Sequence, residues 1–337
     1  RSKMSDSVSL KHDESQGKGA RPRMSLVKPP TRAFWREGRR TPGYTFWDWI
    51  HGYVYARWPY LYIGTALEER RFSYVVRFIA RIWSLFKPRN GSSETRSTAA
   101  DSYHGKVLPL EEATRLTTVN EPIVVKDLEQ VIPYTEARSI ILRNPDHIAV
   151  LDCPCRVSRP DPCLPLDVCL IVGEPFASFI LEHHPGRSRR IDQEEAATIL
   201  REEHDRGHVH HAFFKDAMLG RYYAICNCCS CCCGAIQMWR GTTPMLASSG
   251  YVAQVDVDLC MGCGDCVETC QFGALSLVEE VATVDYELCM GCGVCVSRCA
   301  NDANSLVADP AKGVPFSVRE LLEPVKAQPI ELRQSRV

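Results

Sequence analysis

Several signatures of common protein classes are missing from this 337-residue sequence. It contains no glycine-rich phosphate loop and no dinucleotide-binding fingerprint, because Gly17-Lys18-Gly19 lacks the strand-to-helix context that such loops need. No nucleophile, histidine and acid are spaced as in a hydrolase. The first residues also lack the apolar stretch of a secretion signal. These absences disfavour a nucleotide-binding enzyme, a hydrolase and a secreted disulfide scaffold.

Net charge is almost absent as well, but the charges are unevenly distributed. The formal net charge is −1, yet residues 1–90 carry +11 and the remainder carries −12. A basic N-terminal part joined to an acidic remainder indicates an arm that binds a surface or a partner. Residues 1–40 show no pattern typical of specific nucleic-acid recognition, so we expect no specific nucleic-acid partner.

Changes in composition divide the chain into six parts. The predicted parts are a disordered basic arm at 1–43, an aromatic amphipathic docking segment at 44–87, a polar linker at 88–102, a cysteine-rich α/β metal-binding module at 103–245, a cysteine-repeat domain at 251–308 and a C-terminal tail or clasp at 309–337. We therefore expect an α+β fold.

Fourteen aromatic residues fall within 44–86. The stretch 46–67 is almost long enough to span a bilayer, but Asp48, Arg57 and other polar residues interrupt it. Residues 70–86 then alternate arginines with apolar side chains, which is typical of a basic amphipathic helix. Three interpretations remain: docking onto a partner subunit or a membrane surface, packing on the chain's own core, or a true membrane span.

Periodicity and capping signals predict the elements of the α/β module. Strands are expected at 148–151, 168–172, 208–214 and 222–225. A helix is expected from Asp192 to about residue 205, with Glu195 completing a capping box and Gly207 at its end. Two further helices are predicted at 134–143, behind a proline, and at 318–322.

Cysteine is the residue that this sequence has in excess, with 18 in all. Six of them lie in the eight residues 226–233, where neighbouring thiols lack the geometry for orderly disulfides. A reducing compartment therefore suits the chain better than an oxidising one. We expect a cytoplasmic protein, either free or peripheral at the inner face of the membrane.

Eight of the cysteines form two copies of one spacing. Each copy reads Cys-x2-Cys-x2-Cys-x3-Cys, and both begin Leu-Cys-Met-Gly-Cys-Gly; the positions are Cys260, Cys263, Cys266 and Cys270, then Cys289, Cys292, Cys295 and Cys299. Two such runs are the ligand pattern of paired [4Fe-4S] clusters. Zinc or structural disulfides explain the repeat less well, because zinc needs only Cys-x2-Cys pairs.

Residues 251–308 resemble the bacterial two-[4Fe-4S] ferredoxins. The resemblance implies that the last cysteine of each run binds the other cluster. The implied ligand sets are Cys260, Cys263, Cys266 and Cys299 for one cluster, and Cys289, Cys292, Cys295 and Cys270 for the other. The family usually has proline after the fourth cysteine, whereas this chain has Gln271 and Ala300. We expect that departure to affect loop rigidity and not cluster binding.

Ten further cysteines lie upstream, at Cys153, Cys155, Cys163, Cys169, Cys226, Cys228, Cys229, Cys231, Cys232 and Cys233. Their crowding indicates metal binding. Three interpretations stay open: one or two additional iron–sulfur clusters, a substrate-active unusual cluster, or a structural zinc site with spare thiols. Cys232-Cys233-Gly234 matches the short element of heterodisulfide-reductase-type subunits, which implies a disulfide-cleaving cluster. The whole upstream pattern also resembles ferredoxin-like proteins of anaerobes.

Histidines are numerous between residues 183 and 211. His208 and His210 would share one face of a strand, where they either complete a metal site or form a solvated polar face. The solvated face is the expectation.

Taken together, the sequence predicts an iron–sulfur electron-transfer subunit of a larger oxidoreductase complex, of the kind found in anaerobic metabolism. It would relay single electrons through two cubanes and further upstream clusters, without catalysing a reaction itself. The alternative is a reductase whose upstream Cys-Cys-Gly site carries a substrate-active cluster like that of the disulfide reductases.

Overall fold

A mixed nine-stranded β-sheet lies at the centre of the described part of the molecule. The computed structural model describes residues 27–67, 103–119, 123–126, 139–142, 146–241 and 243–319. The strands of the sheet are β1 (Tyr103–Leu108), β2 (Ile123–Lys126), β3 (Ser139–Leu142), β4 (Ile148–Asp152), β5 (Asp167–Val172), β6 (Ser188–Ile191), β7 (Val209–Lys215), β8 (Arg221–Cys228) and β9 (Leu246–Ala247). Their order is β6-β4-β5-β8-β7-β1-β9, and the β2–β3 pair joins through β8. The strands that carry or precede upstream cysteines, β4, β5 and β8, are therefore neighbours.

The sheet is buried on both faces, and its side chains contribute to two separate apolar cores. Consecutive side chains on a strand point to opposite faces, and Ala149 and Val150 accordingly pack into different apolar clusters. Phe213 and Phe214 divide in the same way. The face of Ala149 and Phe213 also holds most of the buried upstream cysteines, and we call it the thiol face; its cluster includes Cys153, Cys169, Cys228 and Cys233.

Helices cover both faces of the sheet. The thiol face is covered by α1 (Pro29–Gly38), α2 (Phe46–Arg57), α3 (Pro59–Ala66) and α6 (Phe176–His183). The opposite face is covered by α4 (Leu110–Thr118) and α7 (Gln193–Asp205). Two short helices, α5 (Pro154–Val157) and α8 (Gly234–Arg240), begin directly after cysteines. The arrangement is three-layered, and it exposes no apolar sheet face to water within the described residues.

The four strands predicted for the module are confirmed as β4, β5, β7 and β8. The helix predicted from Asp192 is confirmed as α7, where the Asp192 carboxylate accepts a hydrogen bond of 2.8 Å from the backbone N–H of Glu195. Gly207 has a φ of +85°, as expected for a residue that ends a helix. Local signals were sufficient here because capping and alternation lie within the elements themselves.

The helix predicted at 134–143 is wrong for its last part. Residues 139–142 form strand β3, which pairs antiparallel with β2 so that Ile123 faces Leu142. Two consecutive isoleucines favour a strand, and pairing with the preceding strand outweighs the helical signal of the proline. The earlier part of the predicted helix lies outside the described residues. Of the predicted 318–322 helix, residues 318 and 319 are helical and the rest lies outside as well.

The prediction of disorder for 1–43 is wrong for residues 29–38, which form α1. Phe34 is fully buried, and its ring lies 5.7 Å from that of Phe176 and 5.9 Å from that of Phe179. The segment has few aliphatic residues, but one large aromatic ring buries enough apolar area to dock a short helix. Pro29 at the first turn fixes where that helix begins.

The described half of the aromatic segment packs on the chain's own module. The hydroxyls of Tyr55 and Tyr223 lie 2.8 Å apart, and Tyr60 donates a hydrogen bond of 3.1 Å to the carbonyl of Asp152. His184 contacts the carbonyl of Ala56 at 2.7 Å. Self-packing therefore accounts for the buried side chains of residues 46–66, whereas Phe46, Trp47, Trp58 and Leu61 remain exposed. The basic stretch 70–86 and the linker 88–102 lie outside the described residues, so docking through that stretch stays a prediction.

Two smaller pairs of strands follow the sheet. Strand β10 (Tyr251–Val255) pairs with β13 (Asn304–Ala308), and β11 (Leu275–Val278) pairs with β12 (Val281–Val284). Short helices α9 (Asp265–Thr269) and α10 (Val294–Arg298) complete two similar halves. Beyond them the chain returns to the module, where Phe316 and Val318 are buried in the second core. The described start of the tail thus clasps the sheet.

Across the described ranges, every helix is too short or too polar to cross a lipid bilayer.

Gly52 in α2 tests whether the aromatic helices are part of the folded body. A methyl group at Gly52 would lie 2.0 Å from the carbonyl oxygen of Ala217 and 2.9 Å from the ring of Phe34. Gly52→Ala should therefore lower the free energy of unfolding by about 1–3 kcal/mol, as overpacking does. In an undocked helix the same change would raise helix stability by roughly 0.5–1 kcal/mol, so the sign separates the two cases.

Denaturant unfolding of the full chain under anaerobic conditions provides the measurement. Gly186→Ala is the matched control, because a methyl group there meets no atom within 4 Å. A stabilising effect of Gly52→Ala would contradict the docked arrangement.

Candidate metal centres

The two cysteine loops of residues 251–308 are built on glycines that no other residue could replace without strain. Gly262 and Gly291 have φ values of +67° and +65°, in the left-handed region. A Cβ at Gly262 would lie 2.2 Å from the carbonyl oxygen of Glu280, and one at Gly291 would lie 2.1 Å from that of Tyr251. The glycine of each Cys-Met-Gly-Cys run thus lets the loop wrap tightly against the backbone of another segment, which is the turn between β11 and β12 for Gly262 and strand β10 for Gly291.

The eight cysteines of these loops line two small cavities. The outer site is lined by Cys260, Cys263, Cys266 and Cys299, and the inner site by Cys270, Cys289, Cys292 and Cys295. Each site thus takes three cysteines from one run and the last cysteine from the other. This grouping is the one that the ferredoxin resemblance implies, and the assignment of cluster ligands stays a prediction.

Backbone N–H groups point at the sulfurs of both sites. In the outer site, Ala282 and Ala303 donate to the Sγ atoms of Cys260 and Cys299 at 3.4 and 3.2 Å. In the inner site, Ala253 and Ala274 donate to Cys289 and Cys270, both at 3.3 Å. Donors of this kind stabilise thiolates and the added negative charge of a reduced cluster, so both sites fit an iron–sulfur group.

The two sites differ in their surroundings. Cys263 and Met261 beside the outer site are exposed, Met261 to 75%. Cys270 and Cys292 of the inner site pack against the apolar cluster of the thiol face, together with buried Phe272. Burial raises the pKa of the Cys292 thiol well above its usual range, so a nearby cation is needed to keep it ionised. The inner site is the one that meets the cysteine-rich module.

Gln271 makes polar contacts between the domain of the inner site and the cysteine-rich module. Its side-chain oxygen accepts a hydrogen bond of 2.7 Å from the backbone N–H of Ser230, inside the 226–233 cysteine run. Its side-chain nitrogen donates to the carbonyl of Gly207 at 3.0 Å, and its backbone carbonyl accepts from Arg240 at 2.7 Å. The expectation that this departure from proline affects only loop rigidity is therefore incomplete. Proline would lose both side-chain contacts.

Among the upstream cysteines, four thiols converge at the edge of the thiol face. The Sγ atoms of Cys163, Cys229, Cys231 and Cys232 all lie within 4.8 Å of one another. We call this set the four-thiol group. Three of its members follow β8, and Cys163 lies in the loop before β5.

The remaining six upstream thiols form a closed ring. Each contacts two others, in the order Cys153, Cys155, Cys233, Cys228, Cys226, Cys169 and back to Cys153. The Sγ atoms of Cys169 and Cys226 lie 3.9 Å apart. Four of the six are buried and the other two are half-buried. The ten upstream cysteines therefore divide into four and six, and Cys232-Cys233 is split between the two sets.

The six-thiol ring forms part of the wall of a large cavity. The cavity has a volume of about 240 Å³, whereas the cavities of the outer and inner sites each have a volume of about 20 Å³. The lining also includes the aromatic rings of Tyr55, Tyr62 and Tyr103. The Lys215 Nζ lies 4.9, 5.5 and 5.0 Å from the centroids of these three rings. The cavity thus has room for a bound group of several atoms.

Sequence reasoning missed the functional placement of Lys215 and Gln271. Burial lowers the pKa of Lys215 to about 8, so its charge is adjustable near neutral pH. Lys215 ends a strand in an otherwise ordinary alternation and carries no local signal. Gln271 did carry one, because it stands where the resembling ferredoxins have proline.

The histidines were predicted to form a solvated face, and this prediction is wrong. His210 and His211 are fully buried, and His208 is 7% exposed. His210 lies 2.6 Å from the side-chain oxygen of Asn227, and His208 lies 2.6 Å from the carboxylate of Glu203. The strand is covered by α7 on one side and by the inner-site domain on the other, which alternation alone does not reveal. Among the described residues, the four-thiol group includes no histidine.

Residues 259–303 match the family model described as a 4Fe-4S dicluster domain. A search of curated proteins finds no match to the chain. The matched region includes all eight cysteines of the outer and inner sites. This part of the chain is therefore a ferredoxin-type 4Fe-4S domain, and with the additional cysteines it indicates iron–sulfur electron transfer.

The link through Gln271 can be tested by substitution. Gln271→Ala removes two side-chain hydrogen bonds between the ferredoxin-type domain and the module. We expect it to lower the free energy of unfolding by about 1–3 kcal/mol and to speed amide exchange in residues 226–233. Hydrogen exchange of the intact chain measures both. Thr283→Ala on the distant β12 is the control, and equal exchange in both variants would contradict the link.

The buried histidines make stability depend on pH. Burial lowers the pKa values of His210 and His211 to about 3, while an unfolded histidine titrates near about 6.5. Below pH 6.5 the unfolded chain therefore takes up protons that the folded chain refuses. Above pH 6.5 both states hold these histidines neutral, and the free energy of unfolding does not depend on their protonation. As the pH falls from 6.5 toward 3, the free energy of unfolding decreases by up to about 1.4 kcal/mol per pH unit for each histidine.

Unfolding midpoints between pH 7.5 and pH 5 provide the measurement. His211→Gln should flatten the decrease in unfolding midpoint below pH 6.5. Above pH 6.5 the difference in midpoint between the two proteins should no longer change with pH. A slope that is unchanged by the substitution would show that His211 already titrates in the folded protein.

Proposed function

We propose that the chain is an iron–sulfur electron-transfer component of a larger redox complex. Two [4Fe-4S] groups, held by the cysteines of the outer and inner sites, would pass single electrons between a partner and a third metal centre in the α/β module. The observation that carries this proposal is the placement of the two sites: one opens to the surface, and the other is packed against the cysteine-rich module.

The residues of both sites suit this role. The eight thiolates bind the groups, and each bound group supplies a one-electron couple. The four alanine N–H donors stabilise the negative charge that accompanies reduction, which raises the potential. Buried Val252, Ala253, Leu275 and Ala282 keep water away from the sulfurs. The chain thus fixes both the spacing and the polarity that electron transfer needs.

The surface around the outer site suits a partner. Val257, Leu259 and Met261 are 63, 48 and 75% exposed, and they lie within or beside the first cysteine loop. Exposed apolar side chains of this kind are typical of protein contact surfaces. A redox partner that covers them would approach the outer site. The basic stretch 70–86, outside the described part, would supply the second docking element that the sequence predicts, for a partner subunit or the inner face of a membrane.

The six-thiol ring is proposed as the third centre. Six mutually contacting thiols in an apolar surrounding would repel one another if they ionised alone, so a cationic group is needed to hold them as thiolates. An iron–sulfur cluster supplies that charge and continues the electron path. The link from Cys270 through Gln271 to Ser230 holds this region against the inner site.

The cavity beside the ring favours a second candidate function, a reductase. An electron-relay centre needs no adjoining space, whereas about 240 Å³ next to metal-binding thiols suits a small substrate. The ammonium of Lys215 would then face an anionic group of that substrate. The Cys232-Cys233-Gly234 resemblance supports disulfide chemistry less directly, because the two cysteines belong to different thiol sets.

Iron and sulfide contents of the anaerobically purified chain test the proposal. The outer and inner sites alone would give about eight irons and eight sulfides per chain, and an occupied ring would give clearly more. Cys169→Ala should remove only the excess, while Cys263→Ala should weaken only the signal of the outer cluster in electron paramagnetic resonance. An iron content near eight that Cys169→Ala leaves unchanged would contradict a cluster in the ring.

Stopped-flow reduction tests the direction of the path. With a reduced small ferredoxin as donor, Cys263→Ala should slow reduction of the ring centre at least tenfold, because the donor loses its entry point. Cys263→Ala should leave slow reduction by a small chemical reductant unchanged, since that reagent can enter elsewhere. Equal rates with the protein donor would contradict entry through the outer site.

A further inference from the structure

The four-thiol group carries an inference that is independent of electron transfer. Its Sγ atoms are closely spaced: Cys163 lies 3.1 Å from Cys231 and 3.7 Å from Cys229, and Cys231 lies 3.7 Å from Cys232. All four fall within 4.8 Å of one another. The spacing between thiols depends on what they bind, so it distinguishes between possible occupants.

We propose that Cys163, Cys229, Cys231 and Cys232 form a closed tetrathiolate site for one divalent thiophilic cation, without bridging sulfide. A tetrahedral ion with metal–sulfur bonds of about 2.3 Å holds its sulfurs about 3.8 Å apart. Two of the observed separations are 3.7 Å, and the pair Cys163 and Cys231, at 3.1 Å, would have to open slightly around the ion. A cubane would hold the four thiolates further apart, because its irons and sulfides lie between them. Zinc and ferrous iron share the required chemistry, and the test below distinguishes them.

The group is not explained as a disulfide. The 3.1 Å between the sulfurs of Cys163 and Cys231 is well beyond the roughly 2.05 Å of an S–S bond. Four thiols converge, whereas a disulfide needs two.

The surrounding residues hold the ligand loop in place. Arg159 donates to the carbonyl of Cys232 from two of its nitrogens, at 3.3 and 3.2 Å. Gln237 donates to the carbonyl of Cys231 at 3.0 Å and accepts from Arg159 at 2.5 Å. The guanidinium also offsets part of the double negative charge that four thiolates and one divalent cation carry. The site is thus supported by an outer layer, as structural metal sites are.

The site has a clear structural consequence. It ties the loop of Cys163 to the 228–233 loop, and that loop also carries Cys228 and Cys233 of the six-thiol ring. Ser230, which binds Gln271, lies between its ligands. A cation here would fix the wall of the ring and the contact with the inner site at the same time. This gives the chain a structural metal beside its redox centres.

Metal analysis of the full chain, expressed with both zinc and iron supplied, tests the proposal. We expect one zinc, or one iron without accompanying sulfide, beyond the iron–sulfur content. Cys163→Ser and Cys231→Ser should each remove that one cation and leave sulfide unchanged. Cys169→Ser is the matched control, because it alters the six-thiol ring and should leave the cation bound. Loss of sulfide in Cys163→Ser, or a Cys163–Cys231 disulfide without metal, would overturn the proposal.

X-ray absorption of the wild-type chain gives a second measurement that requires no variant. At the zinc edge, or after cobalt exchange, four sulfurs at about 2.3 Å without metal–metal scattering support the site. A shell that includes nitrogen or oxygen would overturn it. The ferredoxin-type signals serve as an internal reference, so failure of this proposal would be distinguishable from failure of the proposed electron transfer.

Discussion

The described structure depends on one constraint: thiols that are crowded and buried need positive charge. Ten upstream cysteines meet at one face of a sheet, and most of them are shielded from water. Ionised thiolates at such separations repel each other strongly in a medium of low polarity. Neutral thiols could pack there as small apolar groups, but they would gain little from meeting in a closed ring. The cations proposed for the upstream thiols would resolve the conflict, and they would also explain why cysteines from separate loops converge.

The sheet serves as the frame that brings those loops together. Strand β4 ends just before Cys153, β5 contains Cys169, and β8 contains Cys226 and Cys228. These three strands are neighbours, and their registers place the cysteines on the thiol face. The aromatic helices α2 and α3 then close that face with Tyr55 and Tyr62 beside aliphatic residues such as Ile63. Tyrosine supplies apolar area together with hydroxyls, as the contact between Tyr55 and Tyr223 illustrates.

Features encoded within one short segment could be predicted from the sequence, whereas features that join residues far apart in the chain could not. The ferredoxin-type loops are encoded within 40 residues, so their spacing and glycines were legible, and a family match supports them. The six-thiol ring joins residues as far apart as Cys155 and Cys233, and no local pattern indicates which thiols meet. The same reason explains the histidines, whose burial depends on α7 and on a separate domain. It also applies in part to β3, where Ser139 pairs with Arg221 of the distant strand β8.

Gln271 shows how the ferredoxin-type domain became part of this larger body. In a free ferredoxin, the residue after the fourth cysteine needs only to stiffen a loop, and proline does that by fixing its own backbone. Here the same position faces the 226–233 run, and a long amide side chain can bind a backbone N–H and a carbonyl at once. Ala300 occupies the equivalent position of the other repeat and makes no comparable contact among the described residues. The repeat therefore departs from its own symmetry where the second domain is met.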